Sequence, residues 1–119
     1  MTIKIDKPWG WYQVIYSSDQ YIIKILRIKA GKRISLQSHK HRDEFWTVVM
    51  GSGIYENSGL GISNKYRLKA GSMVGVYKNE KHRLTASEDS DIEIVEVQKG
   101  DYLSEDDITR YQDDFGRIT

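Results

Sequence analysis

A short polar segment in the first half of the chain contains side chains that bind metal ions. Four of them fall within eight consecutive positions: Gln37, His39, His41 and Glu44. Side chains two positions apart in a β-strand share a face, so the first three are predicted to point the same way. Glu44 breaks the alternation and joins that face only if the chain turns or bulges near residues 42 and 43. The spacing therefore predicts a metal site at a bend.

The composition limits the kind of metal site. The chain has no cysteine, which excludes thiolate zinc sites, disulfides and cysteine nucleophiles. Imidazole, carboxylate and amide ligands suit zinc and also iron, cobalt, nickel or manganese. Lys40 and Arg42 alternate away from the ligand face and are predicted to be solvated charges.

Length and charge exclude several classes of protein. At 119 residues the chain is expected to form one domain, residues 1–119. Its 18 Lys and Arg and its 17 Asp and Glu are interspersed, so we expect neither nucleic acid nor an anionic membrane as a partner. The N-terminus has no apolar core of signal-peptide length, and no stretch approaches the roughly 18 apolar residues of a membrane span. We therefore expect a cytoplasmic protein.

The elements that position these ligands are predicted to be strands. Short runs rich in Tyr, Val, Ile and Trp alternate with Gly, Asn or Ser breaks, as in an all-β sandwich or barrel. The predicted strands cover residues 11–16, 21–29, 33–38, 44–50, 53–57, 65–68, 73–77, 82–86 and 91–98. One short helix is expected near the C-terminus, where Ser104 can cap a segment that ends at about Gln112.

A second candidate ligand follows a turn in the second half of the chain, where His82 comes directly after residues 78–81. One Q-x-H-x4-E motif and one histidine after a turn, each between Gly-bounded strands, resemble the metal-binding motifs of the cupin superfamily. More narrowly, the chain resembles the cupin domain of type II mannose-6-phosphate isomerases, which often forms the C-terminal half of a bifunctional isomerase and mannose-1-phosphate guanylyltransferase. The similarity extends nearly end to end through five segments: KPWGWYQVI at 7–15, residues 21–31, RISLQSHKHRDEFW at 33–46, KHRL at 81–84 and VEVQKGDYLSEDDITRYQDDFGR at 95–117.

This resemblance implies a fold, a metal site and a substrate class. The fold is a single cupin barrel, a double-stranded β-helix of jelly-roll type, with the short C-terminal helix added. The implied metal ligands are Gln37, His39, Glu44 and His82, with zinc as the first expectation. His41 or a second acid near the site is the expected base. The expected phosphate-binding residues are Lys24 and Arg33, with Arg83, Arg110 and Arg117 as further candidates.

The sequence departs from the family pattern around the last ligand. The usual turn Pro-x-Gly-x-x-His is replaced by residues 77–82, with Tyr77 in place of the proline and Asn79 in place of the glycine. Asn tolerates the left-handed backbone conformation, so the turn is predicted to survive. Phe45 stands where close relatives often carry a histidine, and Ala86 replaces a frequent Asn. This rim of the pocket is therefore predicted to be reshaped.

Three functional hypotheses are open at this point. The first is a stand-alone, metal-dependent isomerase that interconverts mannose 6-phosphate and fructose 6-phosphate or a related pair, with the metal polarising the carbonyl. The alternative, which Phe45, Tyr77 and Ala86 favour, is a non-catalytic cupin that binds a sugar or sugar nucleotide beside a separate nucleotidyltransferase. A weaker third is a metal-dependent oxygenase. A homodimer is expected, because a second copy would cover exposed sheet edges.

Overall fold

Eleven strands form the regular secondary structure of residues 3–59 and 61–118, the part of the chain that this computed structural model describes. In chain order they are β1 (Lys4–Lys7), β2 (Gly10–Ser17), β3 (Tyr21–Ile28), β4 (Leu36–Ser38), β5 (Arg42–Met50), β6 (Ser52–Gly59), β7 (Ile62–Lys69), β8 (Met73–Val76), β9 (Lys81–Ala86), β10 (Ile92–Gly100) and β11 (Thr109–Gln112). Strands β2 to β10 overlap the nine predicted strands. The sequence patterns do not predict β1 and β11.

The strands form two antiparallel sheets. Sheet A has the order β1-β2-β3-β10-β5-β8, and sheet B has the order β11-β4-β9-β6-β7. From β3 to β6 and again from β7 to β11, each successive strand lies in the opposite sheet. Repeated crossing between two sheets is typical of a jelly-roll barrel. The predicted all-β architecture is confirmed.

The apolar core lies between the two sheets. It consists of Trp9, Ile28, Ile34, Trp46, Val48, Tyr55, Leu68, Val76, Leu84, Ala86, Ile92 and Ile94. On β5 and β10 the inward-facing positions continue the alternation but change from apolar to polar, with Glu44 preceding Trp46, and Glu96 following Ile94. Because every second side chain of a strand points to the same face, these two strands place polar side chains inside the barrel next to its apolar core.

The predicted C-terminal helix is wrong. Ser104 does begin a turn, because its Oγ accepts a hydrogen bond from the backbone N of Asp106 at 3.1 Å. The chain then continues as β11, which pairs Arg110 with Gln37 of β4. Pairing with β4 satisfies backbone groups that a helix would have bonded internally, so tertiary pairing outweighs the local capping signal.

The described residues contain no helix of the length and apolarity needed to cross a membrane.

The outer face of sheet A is largely apolar near its centre. Ile23 on β3 lies opposite Val97 on β10, which in turn lies opposite Phe45 on β5. Ile25 and Val95 form the next row. These residues alternate with the buried, inward-facing ones, and Phe45 is 41% exposed. A contiguous apolar surface on a sheet face is typical of an interaction site.

Candidate metal and ligand site

Three buried side chains converge between the sheets. Glu44 comes from β5, His82 from β9, and His39 from the bend that follows β4. Their ligand atoms all lie within 4.8 Å of one another. His39 Nε2 and Glu44 Oε2 are 3.2 Å apart, close to the roughly 3.3 Å that separates two ligands of a tetrahedral zinc ion. Gln37, the fourth predicted ligand, lies beside them and directs its amide Nε2 at His39 Nε2 at 3.4 Å.

Both histidine rings are oriented by backbone carbonyl groups. His39 Nδ1 donates to the carbonyl oxygen of Asp107 at 2.7 Å, and His82 Nδ1 donates to that of Glu80 at 3.0 Å. The protons are therefore on Nδ1, and both Nε2 lone pairs point into the cluster. The buried Nε2 of His82 has no hydrogen-bond partner among the described residues. A lone pair without a partner, facing a second imidazole and a carboxylate, fits a divalent metal ion.

The protonation states of the cluster also suit a cation. Burial lowers the pKa of His82 to about 4 and lowers the pKa of His39, so both rings are neutral near pH 7. Burial alone would raise the pKa of Glu44, yet the neighbouring His39 and Arg42 lower it well below its ordinary value. Two neutral imidazoles and one ionised carboxylate form a donor set for zinc or a similar divalent ion.

The altered turn before His82 keeps its shape. Asn79 has a φ of 67°, the left-handed conformation that the sequence predicts for it. Its backbone N donates to the carbonyl oxygen of His39 at 2.7 Å. The turn therefore ties the two histidine-bearing segments together, and neither Tyr77 nor Asn79 prevents His82 from entering the cluster.

Arg42 is not the solvated charge that the sequence analysis predicts. Its side chain is buried, and its Nε donates to Glu44 Oε2 at 2.8 Å while Nη1 donates to the carbonyl oxygen of Ser104 at 3.0 Å. The bend lies at residues 39–41, earlier than predicted, and Arg42 already belongs to β5. It therefore shares the inward face with Glu44. Gly100 permits this close packing, since a Cβ there would lie 2.0 Å from the carbonyl oxygen of His41.

A cleft of about 100 Å³ adjoins the cluster. This is smaller than the roughly 300–1,000 Å³ of ordinary small-molecule pockets, so the cleft suits one small polar group. Its charged lining consists of five cations, Lys7, Lys24, Arg42, Arg110 and Arg117, and three carboxylates, Glu44, Glu96 and Glu105. Even with all three carboxylates ionised, the lining has more positive than negative charge and favours an anionic ligand.

Glu96 is a site residue that the sequence analysis missed. It is buried, and it accepts hydrogen bonds from Trp46 Nε1 at 3.1 Å and from Gln98 Nε2 at 2.9 Å. Burial, and then the charge of Glu44, raises its pKa well above the ordinary value. The sequence pattern that could have identified Glu96 is the alternation of β10, whose successive inward positions are Ile92, Ile94, Glu96 and Gln98.

The three predicted catalytic residues are not brought together. Lys24 is buried in the cleft wall, where its Nζ donates to Glu105 Oε2 at 2.5 Å. His41 lies outside the cleft with a 48% exposed side chain, and its ring packs against Tyr102. Arg33 also lies outside the cleft.

The guanidinium of Arg33 is bonded to Asp114 through two contacts of 2.8 Å. Of the further phosphate candidates, Arg110 and Arg117 line the cleft, whereas Arg83 is bound to Gln112 and to the carbonyl oxygen of Ile34.

Residues 1–113 match the sequence model of a family described as mannose-6-phosphate isomerase C-terminal. This chain belongs to that family. The suspected relationship to the cupin domain of the bifunctional isomerase and guanylyltransferase proteins is confirmed.

The sequence similarity to curated relatives extends over almost the whole chain. A mannose-1-phosphate guanylyltransferase of Salmonella muenchen is 31% identical over 116 residues, which cover 98% of this chain and 24% of the relative. The alginate biosynthesis protein AlgA of Pseudomonas putida is 34% identical over 117 residues, which cover 98% of this chain and 23% of the relative. This member of the mannose-6-phosphate isomerase C-terminal family thus spans about a quarter of the length of these relatives.

Solved structures confirm the cupin fold. The capsular polysaccharide assembling protein CapF of Staphylococcus aureus has a TM-score of 0.82 at 14% identity, covering 94% of this chain and 34% of that chain. The oxalate decarboxylase of Bacillus subtilis has a TM-score of 0.82 at 19% identity, covering 92% of this chain and 30% of that chain. At this identity the likeness concerns the fold alone.

The isomerase hypothesis is wrong. The curated relatives are enzymes named for guanylyl transfer or polysaccharide biosynthesis, and they favour the alternative of a non-catalytic cupin beside a nucleotidyltransferase. This correction rests on the relatives. Of the residues that the isomerase hypothesis assigned, His41 and Arg33 lie outside the cleft, whereas Glu96 supplies an acid within it.

Proposed function

We propose that this chain is a non-catalytic binding module of a nucleotidyltransferase system. It holds a divalent metal ion with His39, Glu44 and His82, and it binds a phosphorylated sugar or the sugar end of a sugar nucleotide in the adjoining cleft. The observation that carries the proposal is the buried Nε2 of His82, which has no partner in the described chain and faces two further metal-binding atoms.

The surroundings of the cluster support an anionic sugar ligand. The cleft lining has five cations against three carboxylates, and a volume of about 100 Å³ admits one small group rather than a whole nucleotide. A bound metal would supply a Lewis acid that attracts a sugar oxygen. Zinc is the first expectation, and iron, cobalt, nickel and manganese are alternatives. A cytoplasmic location, with a role in carbohydrate metabolism and polysaccharide biosynthesis, completes the proposal.

Calorimetric titration of the purified protein tests this function. Protein stripped with a chelator and then loaded with each metal is titrated with mannose 6-phosphate, mannose 1-phosphate and GDP-mannose. We expect metal-dependent binding of at least one of them and no interconversion of mannose 6-phosphate and fructose 6-phosphate. Absence of binding with every metal, in folded protein, contradicts a binding module. Metal-dependent turnover contradicts a non-catalytic one.

A further inference from the structure

Arg110 differs from the other charged residues of the cleft because its guanidinium lacks a partner at Nε. This buried Nε makes no hydrogen bond among residues 3–59 and 61–118. Lys24 is bonded to Glu105 and Arg42 to Glu44, which leaves Arg110 as a positive donor in the cleft wall without a compensating carboxylate. A buried donor without an acceptor costs free energy, so an acceptor from a ligand is the expected partner.

The register of sheet B places Arg110 on the same face as the metal cluster. Arg110 lies opposite Gln37, and Gln37 lies opposite His82, so the three form one row across β11, β4 and β9. Cross-strand neighbours in such a row share a face. Two strand spacings, roughly 10 Å in total, separate the backbones of Arg110 and His82. One ligand can therefore reach from the cluster to Arg110.

A second cation lies at the same cleft. Lys7 lines the cleft and is partly exposed, and its charge acts on the carboxylate of Glu105, whose hydrogen-bonded partner is Lys24. Its Nζ lies 5.8 Å from the ring centroid of Tyr12, which also forms part of the lining. Arg117 is less available, because Asp113 holds its guanidinium through contacts of 2.7 and 3.0 Å.

We propose that Arg110, assisted by Lys7, forms an anion subsite that binds the phosphate of the ligand while a sugar oxygen lies toward the metal cluster. This inference rests on the proposed function for the identity of the ligand. The planar guanidinium offers paired N–H donors that match two phosphate oxygens, and the ammonium of Lys7 adds a point charge. Arg110 is then the residue that distinguishes a sugar phosphate from the free sugar.

The test compares Arg110→Gln, Arg110→Lys and the control Arg67→Gln, which removes an exposed arginine of β7 outside the cleft. Metal-loaded proteins are titrated with mannose 6-phosphate, mannose and inorganic phosphate, the last followed by phosphorus NMR. We expect Arg110→Gln to weaken mannose 6-phosphate and phosphate binding by about 10- to 100-fold, with metal affinity and melting temperature unchanged. Arg110→Lys should weaken the binding of both ligands less, and Arg67→Gln should bind them like the wild type.

The outcomes separate this subsite from the proposed function. Mannose 6-phosphate binding that Arg110→Gln does not weaken keeps the function and refutes the subsite. Phosphate binding that depends on Arg110, in wild-type protein that binds no sugar phosphate or sugar nucleotide, keeps the subsite and refutes the function. Binding of neither phosphate nor a phosphorylated sugar by the wild type refutes both.

Discussion

His39 and His82 lie side by side at neighbouring segments of sheet B, with ring centroids 5.0 Å apart and ring planes inclined by 52°. Each ring is fixed through Nδ1 by a carbonyl group, one from Asp107 and the other from Glu80. The rings themselves are already oriented for a cation, although Gln37 Nε2 and Arg42 Nη2, each 3.4 Å from His39 Nε2, have to move aside for it to bind there. This preorganised pair is the basis of the metal prediction.

Replacing His82 with Ala should remove metal binding. Loss of a group that only hydrogen-bonds to a metal ligand lowers metal affinity by about 10- to 100-fold, so loss of the ligand itself should lower it by more than about 100-fold. Cobalt titration by visible absorbance, with metal content measured after dialysis, checks this. His41→Ala is the matched control, because that histidine lies outside the cleft. Equal cobalt affinity in the two variants would exclude the cluster as the metal site.

Stability should depend on pH through His82. Burial lowers its pKa from 6.5 to about 4 in the folded protein. The unfolded chain therefore gains a proton first as the pH falls, and stability decreases between about pH 6.5 and 4 by roughly 3 kcal/mol. His39 shifts in the same direction. Urea unfolding of metal-free protein at several pH values measures the slope.

The variant His82→Gln removes this titrating group and should flatten the slope, whereas His41→Gln should leave it unchanged. An identical pH dependence in wild-type protein and in His82→Gln would mean that other groups control acid stability.

Arg42→Met should destabilise the metal-free protein by about 3–5 kcal/mol, because the buried carboxylate of Glu44 loses its partner. Arg27→Met is the control, since its pair with Glu93 is partly exposed and is worth less than about 1 kcal/mol. Urea unfolding with and without zinc measures both. Zinc should restore part of the stability of Arg42→Met, because the ion compensates the charge of Glu44. A loss that zinc does not reduce would show that the metal binds elsewhere.

The homodimer stays a prediction. From the sequence we expect it to cover exposed sheet edges, whereas the apolar rows of the structure make the outer face of sheet A the surface that we now expect it to use. Ile25, Val95 and Val97 lie at its centre, and a two-fold axis there would bring the same apolar rows together from both copies. Sedimentation velocity should give a dimer for the wild type and a monomer for Val95→Glu. Ile62→Glu, an exposed change on β7 of sheet B, should remain dimeric. A monomeric wild type at high concentration would refute the prediction.

The strands could be predicted from sequence where side chains alternate in polarity or β-forming residues cluster. Strands β1 and β11 lacked that signal because they lie at sheet edges and carry charged residues such as Lys4, Asp6 and Arg110, so only their backbone pairing reveals them. The capping residues around Ser104 gave a valid local signal for a turn. Local signals contain no information on whether a distant strand will take up the backbone groups that follow.

The site was predictable in its ligands but not in its charge network. Glu44 and Trp46 share a parity, and extending the predicted strand backward by two positions would have placed Arg42 inside the barrel. The bend at residues 39–41 hid this, because its position depends on the turn around Asn79 that bonds to His39. The ion pair of Arg33 with Asp114 joins residues 81 positions apart, and no sequence pattern in either segment predicts it.

Asp107 fixes the bend that carries His39. Its carbonyl oxygen accepts from His39 Nδ1, and its carboxylate accepts from the backbone N of Lys40 at 2.8 Å and of His41 at 2.9 Å. During synthesis β1 to β10 emerge from the ribosome before this residue does, so both sheets can begin to pair while the His39 ring still lacks its carbonyl partner. The ion would then enter a barrel that is nearly finished, as a late addition and not as the template around which the chain folds.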